Sequence, residues 1–60
     1  MDELVYRGFT IKIVNRGPLW VAHVRREGDM FDLSTMPYGP YREMVIEDAK
    51  RAIDRLHDNA

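Results

Sequence analysis

Cysteine is absent from these 60 residues, which excludes disulfide staples and thiolate metal sites. Aromatic residues are few, with one Trp, three Tyr and two Phe, so the core of the fold is thin. A chain of this length buries only about 60% of the surface its unfolded form exposes. No apolar run approaches the roughly 20 residues that a membrane helix needs. No basic segment followed by an apolar one opens the chain. A single cytoplasmic domain over residues 1–60, without a membrane association, is therefore expected. Charge of one sign is lacking too: nine basic and ten acidic residues leave a formal net charge of −1.

That near-neutral total conceals an asymmetry. From Leu4 to Phe31 five basic residues (Arg7, Lys12, Arg16, Arg25, Arg26) stand against Glu27 and Asp29, a net +3. From Glu43 to Asp58 five acidic residues stand against Lys50, Arg51 and Arg55, a net −2. The molecule is dipolar, which keeps a polyanion partner in view without requiring one.

Glycine and proline are also scarce, at four and three, and they punctuate the chain. Between Gly8 and Arg16, Phe9, Ile11 and Ile13 alternate with Thr10, Lys12 and Val14, the period of a half-buried strand. Asn15-Arg16-Gly17-Pro18 reverses the chain. Leu19 to Arg26 forms a second strand, with Trp20, Ala22 and Val24 on one face and Val21, His23 and Arg25 on the other. After Glu27-Gly28-Asp29, Met30 to Ser34 reads as a short third strand with Phe31 and Leu33 facing inward. The stretch from Thr35 to Arg42, with Pro37, Gly39 and Pro40, is an irregular crossover. From Glu43 the period changes: Val45, Ile46, Ala49, Ala52, Ile53 and Leu56 make an amphipathic helix of about four turns, and Asn59 is placed to cap it.

These stripes predict a two-layer α+β fold, β-β-β-α, in which a three-stranded antiparallel meander packs on one C-terminal helix. The inner face carries Phe9, Ile11, Ile13, Trp20, Ala22, Val24, Phe31 and Leu33. The outer face shows Thr10, Lys12, Val14, Val21, His23, Arg25, Met30, Asp32 and Ser34, with nothing in the chain to cover it. Trp20 is either a core plug or an exposed anchor, and its phase with Ala22 favours the core. Tyr38 and Tyr41 either form a recognition loop or close the end of the core, the second being favoured.

Catalysis finds no support. A nucleophile needs an oriented base beside it, yet Thr10, Ser34 and Thr35 have no spacing that joins them to His23 or His57. The carboxylate pairs Glu47–Asp48 and Asp54–Asp58 fall on the expected solvent side of the helix. No ligand spacing such as His-x-x-x-His is present, and neither a metal nor a cofactor is expected. Arg16-Gly17-Pro18 has too few glycines to cradle a phosphate. The chain reads as non-enzymatic.

The outer sheet face is the sharpest feature. It is an ordinary solvated face, a contact surface for a protein partner or a second copy, or a reader of DNA. The interaction reading centres on Lys12, Val14, Val21, His23, Arg25 and Met30. The DNA reading, a weak one, uses Arg7, Lys12, Arg16, Arg25 and Arg26.

Tyr6-Arg7-Gly8, Trp20-Val21-Ala22-His23-Val24-Arg25 and the segment Ile46 to Asp54 resemble the DNA-binding domain of plant ethylene-response transcription factors. Phage integrase amino-terminal domains share that plan of three strands and a helix. The resemblance, over residues 6 to 55, implies that Arg7, Lys12, Arg25 and Arg26 touch DNA from the sheet. The layout is also similar to the amino-terminal part of HicB-type antitoxins, with an alanine-bearing helix like residues 46 to 56.

Overall fold

The computed structural model describes residues 2–30, 32–33 and 36–58. Four strands and one helix follow in order: β1 (Glu3–Tyr6), β2 (Phe9–Arg16), β3 (Leu19–Arg26), β4 (Tyr38–Gly39) and α1 (Arg42–Asp58). The strands form one antiparallel sheet in the order β1-β2-β3-β4, with α1 across one face. The α+β class, the meander and the terminal helix are as the sequence predicts. The strand count is not: the sheet has four strands rather than three.

β1 is short, and its turn carries no ordinary signal. Arg7 and Gly8 join it to β2 with φ of 52° and 82°, both positive, as a two-residue type I′ hairpin requires. Gly fits such a position without strain, whereas Arg does so seldom. The second hairpin turns at Gly17-Pro18, where Gly17 takes φ 66°.

The expected third strand, Met30 to Ser34, is the main correction. Met30, Asp32 and Leu33 belong to no strand, and Phe31 and Ser34 lie outside the described residues. The chain nevertheless returns beside β3. Leu33 N donates to Val24 O at 2.7 Å, and Ala22 N donates to Pro37 O at 2.9 Å. Pro37 has no N–H to return that bond, so regular pairing is confined to Trp20↔Gly39 and Val21↔Tyr38. The crossover expected to lack regular structure thus supplies β4.

The inner face is built as its period predicts. Phe9, Ile11, Ile13, Ala22 and Val24 are buried against Val45, Ala49 and Ile53 of α1, with Leu4, Tyr6, Trp20, Leu33 and Ile46 packed around them. Full burial of each Ile or Val contributes about 1.5–3 kcal/mol. Trp20 is half-buried against this core, not a plug at its centre. Leu56, expected in the helix stripe, is 42% exposed, because Ile53 is the last helical residue in the core. Tyr38 and Tyr41 do not close the core: each is 69% exposed. Asn59 lies outside the described residues.

No helix among the described residues is long and apolar enough to cross a membrane.

Candidate interaction face

Strand register decides which side chains share the face opposite α1. Lys12 pairs with Glu3 on one side and His23 on the other, and Thr10 pairs with Val5 and Arg25. Val14 pairs with Val21, which pairs in turn with Tyr38. Arg16 pairs with Leu19 beside the Gly17 turn. The face therefore divides along the strands. One half is charged, holding Glu3, Lys12, His23 and Arg25. The other is an apolar row of Val14, Val21 and Tyr38, with Leu19 and Arg16 beyond it.

A groove of about 470 Å³ opens on this face, with Lys12, Arg16, His23, Arg25, Glu3 and Asp32 in its wall and Val14 as its apolar contribution. Asp32 reaches onto the face from the segment after β3. Its Oδ1 accepts from Arg25 Nε at 3.2 Å, and its Oδ2 lies 3.4 Å from His23 Nδ1. Arg25 is thus partly neutralised. Lys12 and Arg16 make no ion pair among the described residues.

Of the expected interaction residues, Lys12, Val14, Val21, His23 and Arg25 stand together on this face. Met30 does not: it follows the Gly28 turn and is 81% exposed. The place across from Val21 belongs to Tyr38, which is not at the end of the core where it is expected. Glu3, Val5 and Leu19 also join the face. Leu4 and Tyr6, alternating before the Arg7-Gly8 turn, were the signal that could have placed Glu3 and Val5 there.

The expected nucleic-acid residues separate. Lys12, Arg16 and Arg25 share the open face. Arg26 lies over the Phe9 ring at 5.5 Å on the helix side. Arg7 Nη1 is 2.7 Å from Asp54 Oδ1 and 3.7 Å from Asp58 Oδ1.

Asp54 also corrects the expectation of a purely solvated carboxylate. It accepts a hydrogen bond from Tyr6 Oη at 2.8 Å as well as the one from Arg7. The Tyr6 hydroxyl, then the Arg7 guanidinium, hold its carboxyl below the ordinary carboxylate range. The same hydrogen bond pushes the Tyr6 phenol up. Lys50 Nζ sits 5.6 Å from the centre of the Tyr6 ring. This cluster fastens the first hairpin to α1.

Among the described residues no group of three or more His, Asp or Glu side chains is arranged to hold a metal ion. No protein-family model, curated protein or solved structure matches the chain.

Proposed function

We propose that this domain is a non-enzymatic recognition module that binds a protein partner, or another copy of itself, through the open sheet face. The observation that carries this reading is the row of half-buried Val14 and Val21 and exposed Tyr38 on the face opposite α1, beside Lys12 and Arg16, which make no ion pair among the described residues. An apolar centre with a charged rim is the anatomy of a protein contact surface. A merely solvated antiparallel face has no need of a valine pair backed by a tyrosine that is 69% exposed. The non-enzymatic part rests on His23, whose Nδ1 faces Asp32 with no oriented nucleophile beside it among the described residues.

Affinity capture with the full chain tests the reading. Wild-type protein retains a partner that Val21→Glu loses, while Arg51→Glu on α1 retains it. Equal retention by all three contradicts it.

A second reading, a weak DNA contact, is favoured by one observation: Lys12, Arg16 and Arg25 gather on the same face. Its reach is reduced because Arg7 and Arg26 are engaged elsewhere. Binding through several phosphates weakens steeply as salt rises, and a salt titration separates the two readings.

A further inference from the structure

We propose that the partner of the open sheet face is a second copy of this chain, which seats the acidic first half of its α1 there, head to tail. This inference rests on the reading of that face as a contact surface. Along β2, Lys12, Val14 and Arg16 share the open face, a base–apolar–base pattern. On α1, Glu43 and Glu47 are exposed one turn apart and form an acidic pair, while the 40% exposed Met44 beside them turns its Cε toward Gly39 of β4. None of these four charges has an ion-pair partner among the described residues.

The two patterns lie on opposite layers of the domain. A single copy cannot bring them together, and two copies can. Lys12 and Arg16 are about 13 Å apart along the strand, and Glu43 and Glu47 about 6 Å along the helix. The flexible stems of Lys and Arg lean inward over Val14 to close that gap. Complementary potentials of this kind set orientation and approach rate. Because the surfaces differ, the contact is heterologous and leaves a free sheet face at one end and a free helix at the other. A stable interface buries roughly 800 Å² per partner, close to a fifth of the 4404 Å² this domain exposes. Two helical turns offer less, so the association is weak and sensitive to salt.

Sedimentation equilibrium of the full chain, from tens of micromolar to about a millimolar, tests this. Wild-type protein associates at low salt, and raising salt shortens the screening length and weakens association about tenfold. The double variants Lys12→Glu/Arg16→Glu and Glu43→Lys/Glu47→Lys each sediment as monomers, and their equimolar mixture associates again. Circular dichroism checks that both are folded. Should either unfold, amide shifts of the wild type supply the test: they move with concentration at both Lys12–Arg16 and Glu43–Glu47. A strictly monomeric wild type, a mixture that stays monomeric, or shifts confined to one of the two surfaces overturns the inference. Partner capture that is lost with Val21→Glu, beside a monomeric wild type, sinks this inference and leaves the recognition reading standing. Capture indifferent to Val21 sinks both.

Discussion

Tyr6 Oη donates to Asp54 Oδ1 at 2.8 Å, joining the first strand to the last third of the helix across 48 positions of sequence. With Arg7 on the same oxygen, the bond fixes the approach of α1 to an edge of the sheet. It also makes part of the stability depend on pH. Asp54 is held below its ordinary range when folded, so its contribution is complete above that range and is lost as pH falls through the lower, folded value. Asp54→Asn is expected to melt at a lower temperature than wild type at pH 7. The gap narrows in acid, where both chains lack the carboxylate. Thermal melts from pH 7 to pH 2 check this, and a gap independent of pH contradicts it.

Ile11 is fully buried in the centre of β2, whereas its neighbour Lys12 points outward. Truncation of Ile11 to Ala is expected to cost about 2–5 kcal/mol in denaturant unfolding. Lys12→Ala changes stability by no more than about 0.5 kcal/mol. A larger cost at Lys12 than at Ile11 would mean that the sheet faces are reversed, since a one-residue slip of register exchanges them.

Asp32 ties the segment after β3 to the open face through Arg25 and His23. Ion pairs this exposed contribute little to global stability. Asp32→Asn is therefore expected to speed amide exchange at Leu33, which donates to Val24 O, without changing exchange at Ile11 or Val24. It also frees Arg25 and makes the face more basic. Loss of protection across β2 and β3 would mean that the segment is part of the core.

Double-stranded DNA is expected to bind no more than weakly. Of the five basic residues that a sheet-based contact would use, Arg7 and Arg26 are turned to other tasks. Fluorescence anisotropy at low salt checks this. Micromolar affinity with a steep salt slope would favour the DNA reading over the protein one.

The alternation of Phe9, Ile11 and Ile13 and the four-residue spacing of Val45, Ala49 and Ile53 made both layers legible in the sequence, because burial of one face imposes those periods. β1 was legible only in the alternation of Leu4 and Tyr6, since its turn depends on a positive φ at Arg7 that composition does not announce. β4 was hidden for the opposite reason: Pro37 and Pro40 forbid long pairing, yet they leave two residues between them free to pair. The candidate face inherits both gaps. Lys12, Val14, Val21, His23 and Arg25 followed from alternation alone, whereas Glu3 and Tyr38 came from the unseen strands and Met30 from a strand that does not form.

The sequence has two lysines, Lys12 on the open face and Lys50 on α1 beside the Tyr6 ring, and together they offer the most direct test. Acylation of the free domain and of its captured complex, read by mass spectrometry, gives the Lys12-to-Lys50 labelling ratio. If the open sheet face is the contact surface, partner binding lowers that ratio several-fold by shielding Lys12. An unchanged ratio, or shielding of Lys50 in its place, contradicts the account.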